Sequence, residues 1–195
     1  MSKIILVTGG ARSGKSTFAE KTASALTKGK KAYIATAQIF DDEMAQRVKI
    51  HQSRRDDTWL TFEAPFEAEK AIAEANQIAD VILFDCLTIY ISNFLCAYES
   101  LDNIDSINTK LKSVVNKLIA EAKKITGTLI FVTNEVGAGI VPENKLARVF
   151  RDCAGIANQM IAAAADEVYL IVCGIPITVK KIENQKCLET KPGKK

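Results

Sequence analysis

Short runs that are apolar on both faces alternate with longer stretches in which apolar residues recur every three to four positions. Ile4 to Thr8, Ala32 to Thr36, Val81 to Asp85, Thr128 to Thr133 and Glu167 to Val172 belong to the first kind, the pattern of parallel strands covered on both sides. Lys15 to Leu26, Asp42 to Arg54, Phe66 to Ala75, Leu87 to Ala97, Ile107 to Ile125 and Leu146 to Ala165 read as helices. In the fifth of these Leu111, Val114, Leu118, Ala122 and Ile125 fall on one face. Strict alternation of this kind predicts right-handed crossovers and a mostly parallel central sheet flanked by helices on both sides. Two weaker runs, Thr58 to Glu63 and Ile175 to Ile182 with its Pro176, suit edge or antiparallel positions.

The chain has 195 residues, 48% of them hydrophobic, a size at which one α/β domain buries a full core. The expected organisation is one domain over residues 1–183 and a polar, Lys-rich tail over 184–195. Twenty-six basic residues against 23 acidic leave a net charge of +3, too little for a nucleic-acid track. No apolar run reaches the roughly 18 residues of a spanning helix, and the first strand begins within a few residues of the N-terminus. The expectation is a cytoplasmic chain without signal peptide or membrane anchor. Five cysteines (Cys86, Cys96, Cys153, Cys173, Cys187) form no C-x-x-C pair, which fits a reducing compartment. With a single histidine there is no ligand set for structural zinc, so the metal expected is a hard ion held by oxygens, Mg²⁺.

The chemistry begins at Gly9-Gly10-Ala11-Arg12-Ser13-Gly14-Lys15-Ser16. This run fits G-x-x-x-x-G-K-[ST] and lies between an apolar strand and a helix. Its backbone N–H groups can curl around an anion at the positive end of the helix dipole. Lys15 should reach the outer phosphates of a nucleoside triphosphate, and Ser16 should ligate the metal. Asp85, ending an apolar strand, supplies the carboxylate such sites need for Mg²⁺; its alternative use is to cap the following helix.

His51 lies among Arg47, Lys49, Arg54 and Arg55. Neighbouring cations disfavour the imidazolium, which leaves a ring nitrogen free to attack phosphorus; the alternative is a solvated surface histidine. Thr133-Asn134-Glu135-Val136-Gly137-Ala138-Gly139 follows a strand and brings a carboxylate to the carboxyl edge of the sheet, where open α/β folds bind ligands. Asp41, Asp42, Glu43 and Glu63 add carboxylates near that side, with helix capping the alternative for the first two.

Four ordered segments resemble the bifunctional adenosylcobinamide kinase and adenosylcobinamide-phosphate guanylyltransferase family. They are Ile5 to Ser16; Tyr33 to Gln38 with Asp41 to Met44 and Arg47 leading to His51; Asp85 to Thr88; and Thr133 through Asn144 to Arg148, Arg151, Asp152 and Gly155. The resemblance implies a RecA-type P-loop NTPase fold and a homo-oligomer. It further implies that His51 carries a guanylyl group as a phosphoramidate. GTP contacts are implied at Gly9, Gly10, Ala11, Arg12, Ser13, Gly14, Lys15 and Ser16, at Ala35, Thr36 and Ala37, at Gln52, Ser53, Arg54 and Arg55, and at Glu63 and Asp85. The implied partners are ATP, GTP, adenosylcobinamide and its phosphate, and the implied product is adenosylcobinamide-GDP. Two other readings of the motifs stay open: a P-loop kinase acting on another alcohol, and a non-catalytic GTP-sensing module.

Overall fold

The computed structural model describes residues 2–38, 55–98 and 100–182; the expected helix over Asp42 to Arg54 and the tail lie outside them. The elements in order are β1 (Lys3–Gly9), α1 (Lys15–Leu26), β2 (Lys31–Ala35), β3 (Trp59–Glu63), α2 (Ala68–Ala75), β4 (Val81–Asp85), α3 (Leu87–Cys96), α4 (Ile104–Ala122), β5 (Thr128–Val132), α5 (Lys145–Ala164), β6 (Glu167–Val172) and β7 (Ile175–Lys181). The strands form one sheet in the order β3-β2-β4-β5-β1-β6-β7. All neighbours run parallel except β6 and β7. Both weak runs therefore end at the edges, β3 parallel and β7 antiparallel.

Alternation within the strands divides the core in two. Ile4, Leu6, Ala32, Ile34, Ile82, Phe84, Leu129 and Phe131 face α2, α3, α4 and α5. Ile5, Val7, Tyr33, Leu83, Ile130 and Val132 face the other way, toward Ala19 and Ala23 of α1. Helices cover both faces, but among the described residues four lie on one and α1 alone on the other. Phe84 anchors the thicker layer, with ring centroids 5.2 Å from Phe131 and 5.6 Å from Tyr90. Truncating such a buried ring to alanine costs about 3–5 kcal/mol.

Local chemistry explains where helices begin. Asn103 and Asn144 cap α4 and α5 by accepting from Ser106 N at 2.9 Å and Ala147 N at 3.1 Å, so α4 starts three residues earlier than its apolar periodicity suggests. The expected start of α2 at Phe66 moves to Ala68, because Glu67 takes a left-handed conformation (φ 48°). The Tyr90 hydroxyl then accepts from Ala68 N at 3.3 Å.

Candidate functional site

The Gly9 to Ser16 run leaves β1 at Gly9 and enters α1 at Lys15, the strand-to-helix setting its sequence predicts. Gly14 holds φ 95° and Arg12 φ 56°, and the Lys15 ammonium donates to Gly10 O at 3.3 Å, which keeps the cation over the loop. A Cβ on Gly9 would come within 2.6 Å of both Ile171 O and Ser13 Oγ, so only glycine fits under the curled loop. The buried hydroxyls of Thr8 and Ser13 and the Asn134 side-chain oxygen have no hydrogen-bond partner in the protein. Unsatisfied buried polar atoms are uncommon and costly, and three of them ring this loop.

A feature the sequence did not reveal is the clamp on the loop from the opposite end of the chain. Cys173 (φ 51°) and Gly174 (φ 81°) form the two-residue turn between β6 and β7, and Gly174 N donates to Ser13 O at 2.8 Å. A Cβ on Gly14 would sit 3.2 Å from Gly174 Cα. The available signal was a Cys-Gly pair between two apolar runs, the composition of a tight hairpin.

Strand register gathers the other candidates. Ala35 of β2 pairs with Glu63 of β3 and with Asp85 of β4, Asp85 pairs with Val132 of β5, and Val132 with Val7 of β1. Glu63, Ala35 and Asp85 therefore stand in one transverse row at the carboxyl ends of their strands. The row lies on the α1 face, since Ala35, Val132 and Val7 pack in that layer. With strands about 4.8 Å apart, Glu63 and Asp85 are separated by roughly 10 Å across the small Ala35 side chain. Asp85 ends β4, two strands from the end of β1 where the loop carrying Lys15 begins, and burial above all and then the Asp85 charge push the neighbouring Cys86 thiol up to about 12.

Thr36 is fully buried. Its hydroxyl donates to Cys86 O at 2.9 Å and accepts from Cys86 N at 2.8 Å, bridging the end of β2 to the corner between β4 and α3. The Asp85–Cys86 peptide at this corner is cis, and Asn93 Nδ2 donates to Thr36 O at 2.7 Å. Beyond β5, Asn134 N donates to Thr88 Oγ1 at 2.7 Å, Thr133 Oγ1 donates to Asn158 Oδ1 at 2.7 Å, and Glu135 N donates to Gly9 O at 3.0 Å. These bonds set the Thr133–Glu135 segment beside the P-loop. Ala37 follows directly on Thr36, half-buried. The Arg55 guanidinium lies 3.5 Å from the centre of the Tyr33 ring. His51, Gln52, Ser53 and Arg54, with Asp41, Asp42, Glu43 and Arg47, lie outside the described residues.

The oxygen donors suit a hard cation. Among the described residues no cluster of three or more His, Cys, Asp or Glu side chains forms a cage. A Ser hydroxyl and one carboxylate beside a phosphate cradle match Mg²⁺, which keeps most of its shell as water and phosphate oxygen. No described helix is long and apolar enough to cross a membrane.

A solved structure of the RadB recombinase aligns with 86% of this chain and 73% of its own, with a TM-score of 0.48 and 16% identity. The bifunctional adenosylcobalamin biosynthesis protein CobU of Escherichia coli is 41% identical over 91% of this chain and 99% of its own length. Its Salmonella typhimurium counterpart is 42% identical over the same shares. The bifunctional adenosylcobalamin biosynthesis protein CobP of Pseudomonas aeruginosa is 35% identical over 90% of this chain and 96% of its own. Because the family model for cobinamide kinase / cobinamide phosphate guanyltransferase also matches residues 5–179, nearly the whole described sheet, this chain belongs to that family.

Proposed function

We propose that the carboxyl edge of this sheet supports two successive transfers onto one corrinoid acceptor. In the first, the hydroxyl of the adenosylcobinamide aminopropanol arm attacks the γ-phosphorus of ATP or GTP. The bond to the β,γ-bridging oxygen breaks, the nucleoside diphosphate leaves with its electrons, and the hydroxyl proton passes to solvent. Gly9 to Gly14 bind the phosphates through backbone N–H groups, and Lys15 offsets negative charge on the transferring group. Ser16 and Asp85 are the oxygens that would hold Mg²⁺, which when bound neutralises charge on the phosphate oxygens.

In the second transfer a neutral His51 nitrogen attacks the α-phosphorus of GTP, and pyrophosphate departs with the electrons of the broken P–O bond. A phosphate oxygen of adenosylcobinamide phosphate then attacks the same phosphorus, the P–N bond breaks, and adenosylcobinamide-GDP is released. Ala35, Thr36, Ala37, Glu63 and the Gln52 to Arg55 segment serve GTP in this reading, Thr36 by holding the β4–α3 corner. The observation that carries the proposal is the row Glu63, Ala35, Asp85 running away from the P-loop on the α1 face. It offers a second polar position about two strands from the first carboxylate, beyond what one phosphoryl transfer needs. We further infer a cytoplasmic homo-oligomer. Free thiols at Cys96 and Cys173 fit the compartment, and the exposed Ile175, Ile177 and Val179 on edge strand β7 fit an interface.

The test is covalent trapping. Wild-type protein incubated with α-labelled GTP and Mg²⁺ should retain acid-labile, base-stable label after denaturation, and His51→Ala should retain none while still phosphorylating adenosylcobinamide. An unlabelled wild type would leave a kinase alone, and consumption of neither nucleotide in the presence of adenosylcobinamide would leave only a nucleotide-binding module.

A further inference from the structure

Tyr33 is large, polar and 7% exposed. A buried phenol needs a hydrogen-bond partner, and the sheet register limits the choice. Tyr33 pairs with Leu83 in β4 and with Thr61 in β3. Asp85, two residues beyond Leu83, is its diagonal neighbour on the same face, about 7–8 Å away at Cα and within a tyrosine's length. The hydroxyl is within hydrogen-bonding reach of the Asp85 carboxylate.

The ring's flat side is also occupied. The Arg55 guanidinium lies 3.5 Å from its centroid, close enough for a cation–π contact, and Arg55 Nη1 donates to Thr61 Oγ1 at 3.4 Å. Trp59 meets the ring edge-on at 6.5 Å and 71°, so the phenol is held between two strands. A phenol titrates near pH ~10 and is a hydrogen-bond donor at neutral pH, so its hydrogen can be directed at the carboxylate.

We propose that Tyr33 is a positioning residue whose hydroxyl aims the Asp85 carboxylate toward the P-loop while its ring seats Arg55 at the far end of the row. This rests on the reading of Asp85 as a magnesium-site oxygen and of Arg55 as a nucleotide contact. One rigid side chain then fixes the spacing between the metal carboxylate and the guanidinium. Groups that orient a metal carboxylate typically change metal affinity or activity by about 10–100-fold when removed.

The experiment compares wild type, Tyr33→Phe and Tyr33→Leu as full chains, titrated with a fluorescent ribose-modified GTP in EDTA and then across a Mg²⁺ series. Tyr33→Phe loses one oxygen and keeps the ring. It should bind the nucleotide in EDTA within about twofold of wild type, yet need about tenfold more Mg²⁺ for half-saturation. Tyr33→Leu should show the same metal defect and an added loss of about threefold or more in EDTA, because the seat for Arg55 is gone. In an Asp85→Asn background, Tyr33→Phe should add no further metal defect.

Tyr33→Phe with an unchanged Mg²⁺ midpoint overturns the proposal, including when its melting temperature falls, since that marks a packing role alone. If Tyr33→Leu fails to fold, Tyr33→Phe decides by itself. A wild type whose GTP binding ignores Mg²⁺ refutes the underlying metal assignment, an outcome distinct from a metal-dependent wild type with an unaffected Phe variant.

Discussion

Replacing Thr36 with valine swaps a hydroxyl for a methyl of nearly the same shape, at a position with no exposure to solvent. Two hydrogen bonds disappear. Cys86 O keeps its helical bond from Tyr90 N at 3.1 Å, so the acceptor side loses little. Cys86 N had the Thr36 oxygen at 2.8 Å and is left buried without a partner, which costs about 1–3 kcal/mol. Adding about 1 kcal/mol for the lost hydroxyl-to-carbonyl bond brings the expected destabilisation to about 2–4 kcal/mol, or about 5–15 °C in Tm for a chain of this size. Thr36→Ser is the control: it keeps both bonds and removes one methyl, at about 1 kcal/mol. Urea unfolding of the two variants separates hydrogen bonding from packing. A Thr36→Val protein as stable as Thr36→Ser would refute the claim that this hydroxyl holds the β2 end to the β4–α3 corner.

Gly174→Ala places a side chain at φ 81°, a left-handed conformation costing about 1–2 kcal/mol. Because Gly174 N anchors Ser13 O, nucleotide affinity should fall along with Tm, and calorimetric titration that finds normal affinity would count against the clamp. Alkaline pH should weaken the fold through Cys86. The folded thiol is raised from 9.0 to about 12, so above pH 9 the unfolded chain releases a proton that the folded chain retains. Stability is therefore complete below about pH 9 and lost as pH rises toward 12; urea midpoints should show this slope, flattened in Cys86→Ala. In native protein at pH 8 a thiol reagent should modify exposed Cys96 and Cys173 quickly and buried Cys86 and Cys153 only after denaturation, as peptide mass mapping would reveal. Asp85→Asn should preserve the fold, since Asp85 ends β4 only half-buried, while lowering phosphoryl transfer by at least about tenfold in a coupled kinase assay.

The P-loop, the buried strands and most helix boundaries were legible in the chain because each depends on neighbours within a few residues. Glycine spacing curls the loop and two-sided apolar runs mark covered strands, whereas the Asn103 cap that starts α4 ahead of its apolar periodicity came from the structure. Periodicity also places Tyr33, Ala35, Leu83 and Asp85 on alternate positions of their strands. It does not say which strand lies beside which. The pairing of β2 with both β3 and β4 decides that Ala35 stands between Glu63 and Asp85, that Tyr33 reaches Asp85, and that Arg55 has a ring to rest on. The clamp of Gly174 on Gly14 likewise joins positions 160 residues apart. Such neighbours are set by hydrogen-bond register between segments distant along the chain, and only the folded sheet supplies that register. The types of chemistry available were written in the order of residues, and their arrangement into one edge was left to tertiary structure.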